Sequence, residues 1–152
     1  LYRRSLYVYW KRTSPHPMMI LFDAPDRESS CVRRSRTNTS LQSLGLLNET
    51  QRIEMSRILA ERLVTEAKDD DSRLDLLFTL VASRTPNDAE RKACDVLLEK
   101  MQTRYQSAKE DALALLSPGT SPRNEALNPA EVAAWSQVAT TVLASDVALL
   151  LH

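Results

Sequence analysis

Glycine is almost missing from this chain: Gly45 and Gly119 are the only two in 152 residues. Hairpins and bulged strands rely on glycine for backbone conformations that other residues reach only at a cost, so a sheet-rich fold is not expected and an all-α one is. Cysteine is also scarce. Cys31 and Cys94 are too few for a disulfide framework and lack zinc-ligand spacing, although a single bridge between them stays open. Of the two histidines, His16 lies between two prolines and His152 is the last residue, which leaves no convincing base for a nucleophilic triad. With no His/Cys cluster, no Cys-x-x-Cys-His and no paired glycines, this segment is expected to hold no transition metal, haem or phosphate-cradling loop. No apolar run is long enough to span a bilayer.

What the chain does have is charge, unevenly placed. The formal sum is zero, yet residues 1–36 carry eight Lys and Arg against three Asp and Glu, while residues 37–152 carry twelve against seventeen. Two parts of opposite sign are expected to attract each other within one fold. A nucleic-acid partner is not expected, because that footprint needs a basic excess over the whole domain. A length of 152 residues suits a single domain with a real core, comprising a motif-rich segment over 1–48 and a helical bundle over 49–152. The chain starts in mid-pattern at Leu1 and stops on an apolar run, so it reads as the C-terminal fragment of a larger protein.

Apolar spacing predicts about six helices in an irregular bundle. Tyr2, Leu6, Tyr9 and Trp10 form an aromatic stripe on a first helix that ends before Pro15 and Pro17. Met18 to Phe22 is too short to assign. Ser40 is expected to cap a short helix through Leu41, Leu44 and Leu47, with Asn48 ending it and capping the next, where Met55, Leu59 and Leu63 line up. Asp69, Asp70 and Asp71 open a helix that buries Leu74, Leu77, Phe78 and Val81, and they suit its positive end better than a calcium site. Thr85-Pro86-Asn87-Asp88 is expected to begin a helix with Ala93, Leu97 and Met101 inward, stopping or bending before Ala108. Another helix follows through Ala112, Leu115 and Leu116, then a loop over 117–128. Asn128-Pro129 starts a final helix with Val132, Trp135, Val138, Val142 and Leu149 on one side. Asp146 lies on or near that stripe, either reaching water at its edge or pairing with an arginine.

The candidate site is the irregular Asp/Arg-rich segment near the N-terminus. Asp23, Asp26, Arg27, Arg33, Arg34, Arg36 and Asn38 crowd into sixteen positions. Arginine forks hold carboxylates, sulfates or phosphates in two-point geometry, so Arg33, Arg34 and Arg36 with Asn38 suit an anionic ligand, oriented by Asp23 and Asp26. The same forks equally suit a structural clasp that ties a loop to the chain's own carboxylates. No catalytic residue is indicated.

Beyond these readings, the chain resembles a known family through Tyr2-Arg3-Arg4-Ser5, Trp10-Lys11-Arg12, Phe22-Asp23-Ala24-Pro25, Arg27-Glu28, Val32-Arg33-Arg34, Arg36-Thr37-Asn38-Thr39, Leu41-Gln42 and Leu46-Leu47-Asn48. It is similar to the end of the C-terminal domain of unknown function 1553 in large planctomycete proteins. Ser40 stands where that family usually has proline, Glu49-Thr50 where Asp-Pro is common, and Cys31 one place after the usual cysteine. The resemblance implies an exported, periplasmic or extracytoplasmic multidomain protein, with a cytochrome-c-like domain elsewhere as the seat of any haem c. It supplies no catalytic residues. The expectation is therefore a non-catalytic structural and interaction module, partnered by the preceding domains of its own polypeptide. The alternative is a share in an enzyme site for an anionic or carbohydrate substrate in a cytochrome-linked protein.

Overall fold

The structure, a computed structural model, describes residues 7–11, 13–25, 28, 30–35, 37 and 39–149. Among these residues it is all-α, with eight helices and no strand: α1 (Pro17–Leu21), α2 (Ser40–Asn48), α3 (Thr50–Glu66), α4 (Asp70–Ala82), α5 (Asp88–Ser107), α6 (Lys109–Leu116), α7 (Pro129–Leu143) and α8 (Asp146–Leu149). Six of them have eight or more residues, in line with the helix count expected from apolar spacing. The chain divides into two compact units, residues 1–45 and 46–152, and the division falls inside α2.

In the first unit, the expected aromatic helix lies partly outside the described residues. Within them, residues 7–11 are not α-helical, and Tyr7 and Tyr9 are exposed. The Tyr-Val-Tyr-Trp run has low helix propensity, because aromatic and β-branched side chains lose rotamer freedom against the preceding turn. The run too short to assign is α1, opened by Pro17 and by His16, whose Nδ1 accepts from the Met18 amide at 3.3 Å. At α2 the cap is Thr39 rather than Ser40. The Thr39 hydroxyl accepts from the Gln42 amide at 3.3 Å while Gln42 Oε1 accepts from the Thr39 amide at 3.0 Å, a reciprocal capping box. Gln42 and Leu46 are the buried residues of α2, whereas Leu41, Leu44 and Leu47 are exposed.

In the second unit, α7 is the central helix, packed by α3, α5 and α6. Val132, Trp135, Val138 and Val142 are buried as expected, but so are Ala130, Ala133, Ala134, Ser136, Ala139 and Thr140. Helices press on α7 from several sides, and its alanines let them approach closely. Each fully buried large apolar side chain contributes about 1.5–3 kcal/mol. α7 stops at Leu143, so the long final helix of the sequence reading is two pieces, with Leu149 exposed. Asp146 opens α8 and is exposed.

Helix starts follow capping chemistry with shifts of one or two residues. Glu49, not Asn48, caps α3, its carboxylate accepting from the Arg52 amide at 2.9 Å. Asp69 caps α4 through the Ser72 amide and hydroxyl. Asn87, not Thr85, caps α5 in a capping box with Glu90. Arg84 then grips Glu90 with both terminal guanidinium nitrogens. The break before α6 falls at Ala108, where it was expected; the Ser107 hydroxyl bonds the Thr103 and Arg104 carbonyls and competes with the helical ladder. Leu74, Leu77 and Phe78 are buried as predicted. On α5 Leu98 and Tyr105 are buried, Leu97 and Met101 pack half-buried against the core as expected, and Ala93 is exposed.

Candidate functional site

The Asp/Arg segment is organised by the end of a short helix. α1 closes in a Schellman arrangement: the Ala24 amide reaches back to the Met19 carbonyl at 2.8 Å and the Asp23 amide to Ile20 at 3.2 Å. Such an ending needs a left-handed residue, usually glycine. Here Asp23 takes that place at φ 53°, a conformation aspartate tolerates better than most.

The closure leaves three carbonyls pointing out of the helix end, and side chains satisfy each one. Gln42 Nε2 donates to Leu21 O at 2.8 Å. Arg34 donates from one terminal nitrogen to Phe22 O at 2.5 Å and from Nε to Asp23 O at 2.9 Å. The Asp23 carboxylate accepts the Thr37 amide at 2.9 Å and its hydroxyl at 2.6 Å, and the Thr37 oxygen accepts from Gln42 Nε2 at 2.9 Å. Those Thr37 bonds, first the hydroxyl and then the amide, hold the Asp23 carboxyl below the ordinary carboxylate range, and the charge of Arg34 adds to the effect. Gly45 completes the packing, since a side chain there would run into Leu21.

Of the seven candidate residues, Asp23 and Arg34 are thus brought together, and Arg33 is exposed. Asp26, Arg27, Arg36 and Asn38 lie outside the described residues. The fork of Arg34 grips backbone carbonyls rather than a carboxylate, because a helix end presents partial negative charge with no competing side-chain cost. Thr37 and Gln42 were not among the candidates. The signal for Gln42 was the Thr-x-x-Gln capping pattern at 39–42; Thr37 had none.

The second unit holds a charged cluster that apolar spacing obscured. Glu54, Arg57 and Glu61 lie three and four residues apart on α3, where the expected core stripe was Met55, Leu59 and Leu63. Met55 is 45% exposed, whereas Glu54 and Arg57 are 2% and 1% exposed. Glu54 Oε1 accepts the amides of Thr120 and Ser121 at 2.9 and 2.6 Å. Arg57 donates to Ser121 O at 2.9 Å and Pro122 O at 3.4 Å, and it pairs with Glu61 at 2.8 Å. Glu61 accepts the Asn124 amide at 3.2 Å. The loop over 117–128 is therefore strapped to α3. Gly119, at φ 109°, turns tightly against Glu54, where any Cβ would collide with that carboxylate.

Other charges tie helices together. Arg73 bonds Asp70 and Glu131 at 3.0 and 2.8 Å, joining α4 to α7, and Arg91 bonds Asp71 and Asp75, joining α5 to α4. Both cysteines are free; Cys31 is exposed, and burial pushes the Cys94 thiol up, away from the reactive thiolate. An open notch of about 400 Å³ at the α5–α6 break is lined by Gln106, Ser107, Ala108, Lys109, Glu110 and Asp111, consecutive residues of one bend. Among the described residues no group of three or more His, Cys, Asp or Glu has the arrangement of a metal site, and no helix is long and apolar enough to cross a membrane.

No curated protein and no solved structure matches the chain. Residues 1–98 match the family model PSD1, described as a protein of unknown function (DUF1553). That match spans well over half of the sequence and takes in the α1 closure and the charged face of α3, and the protein belongs to this family.

Proposed function

We propose that the chain is a non-catalytic structural and interaction module, acting within a multidomain, exported protein and docking on preceding domains of the same polypeptide. The observation that carries this reading is where the polar groups of the Asp/Arg segment direct their bonds. Arg34, Gln42 and Thr37 spend them on the carbonyls and carboxylate at the end of α1. An arginine committed to backbone carbonyls of its own chain rigidifies a loop and has fewer donors left for a ligand. Tyr7 and Tyr9, 67% and 85% exposed, offer amphipathic contact area of the kind that interfaces favour.

The test is Arg34→Ala in the full chain, read by amide exchange across 17–45 and by titration with inorganic phosphate, sulfate and a short oligosaccharide. A structural clasp predicts loss of protection around Phe22 to Thr37 and no ligand-dependent shift in the wild type. An intact fold, with a wild-type ligand response that the variant loses, would replace this reading with a shared binding site.

A further inference from the structure

We infer that residues 119–124 form an electrostatic latch, a strap that opens as a unit ahead of the helical core when Glu54 loses its charge. The strap sequence, Gly-Thr-Ser-Pro-Arg-Asn, buries no large apolar side chain; Pro122 is exposed and Ser121 and Arg123 are half-buried. Backbone atoms of the strap bond three side chains of α3. Two amides go to Glu54, two carbonyls to Arg57 and one amide to Glu61. Hydrogen bonds to charged groups are stronger than neutral ones, so these hold the strap without a hydrophobic contribution.

The burial of the partners sets the second condition. Glu54 and Arg57 are almost wholly buried, yet the strap that bonds their charged ends is itself largely exposed. Ions under one layer of chain regain water as soon as that layer lifts, which offsets the bonds lost. Opening is therefore local, and α7 with its apolar core stays closed. Other charged groups stand on the elements packed against α3. Asp70, Asp71 and Asp75 of α4 bond Arg73 and Arg91, Glu131 of α7 pairs with Arg73, and Lys109, Glu110 and Asp111 of α6 stand exposed in its first turn. From the strap and its continuation come Arg123 and Glu125. Since the carboxylate form of Glu54 accepts both amides, neutralising that carboxylate weakens closure.

The experiment is amide exchange, expressed as protection factors, on the full chain: wild type across an acid titration, and Glu54→Gln and Glu61→Gln at neutral pH. In Glu54→Gln, protection at Thr120 and Ser121 should fall by about tenfold or more while α7 amides keep theirs. Glu61→Gln should lower Asn124 with a smaller effect on Thr120. Acidified wild type should lose the strap before helical circular dichroism declines, a readout that stands even where Glu54→Gln fails to fold. Protection at 119–124 that survives both neutralisation and acid, or that disappears only in step with α7, overturns the inference.

Discussion

The carboxylate of Asp23 receives both the hydroxyl and the amide of Thr37, at 2.6 and 2.9 Å, across fourteen residues of sequence. This pair closes the irregular segment into a loop whose free carbonyls are taken by Arg34 and Gln42. Thr37→Val keeps the shape and removes the hydroxyl, and with it the leading cause of the lowered Asp23 pKa. The Asp23 carboxyl should then titrate closer to the ordinary value of 3.8 in a carboxyl-detected NMR titration. Its folded pKa is depressed, so the stabilisation is present above the unfolded value and is lost as pH falls through the folded one. The first unit should accordingly loosen in acid below that ordinary value, and an unchanged Asp23 midpoint in the variant would refute the role of Thr37.

Gly119→Ala should destabilise the second unit by about 1–3 kcal/mol in denaturant unfolding, because a side chain at positive φ is strained and this one meets Glu54. Arg123→Ala, which removes a strap side chain but no backbone bond, should stay within about 0.5 kcal/mol. Equal effects of the two would contradict recognition of the strap through its backbone.

Arg57→Met should cost about 3–5 kcal/mol, since it removes the buried cation beside the carboxylate of Glu54 and the donor of two strap carbonyls. Combined with Glu54→Leu the loss should be clearly less than additive, by about 0.5–3 kcal/mol in a double-mutant cycle. Strict additivity would show that the two side chains act independently.

Asn87→Ala should cost about 1 kcal/mol by removing the cap of α5. Glu90→Ala should cost more than that, because the same carboxylate also holds the Asn87 amide and the Arg84 fork. Thermal melts that rank Asn87→Ala as the more damaging change would count against this arrangement.

Trp135→Ala should cost about 3–5 kcal/mol as a cavity in the centre of α7. Trp135→Phe should cost much less, since the buried indole N–H has no hydrogen-bond partner among the described residues and losing it removes an unmet donor. Similar losses for the two variants would mean that the indole is held by more than its packing.

Much of the fold could be read in advance. Leu74, Leu77 and Phe78 announced their buried face through their i, i+3, i+4 spacing, and Asn128-Pro129 marked the start of α7 because that pair both caps and pre-sets a helix. On α3, Leu63 is buried and Leu59 packs against the core as expected, but Met55 is exposed and the charged residues beside it were not expected inside. Charged residues at i, i+3 and i+7 look like a solvated face, and only the return of the strap over Glu54 and Arg57 makes that face an interior. In the Asp/Arg segment the composition was visible, but the partners were not. Arg34 selects carbonyls freed by the turn at Asp23, and no spacing rule exposes a carbonyl freed by a left-handed aspartate.

The amino-acid order alone settled that the described residues are helical and where most of the longer helices start, with caps within one or two positions, because helix propensity, capping and apolar periodicity act over a few neighbouring residues. Tertiary structure alone decided what the charges do. An arginine has the same intrinsic chemistry in a receptor, a clasp or a latch, and its role depends on which distant backbone atoms the fold delivers within 3 Å of its guanidinium.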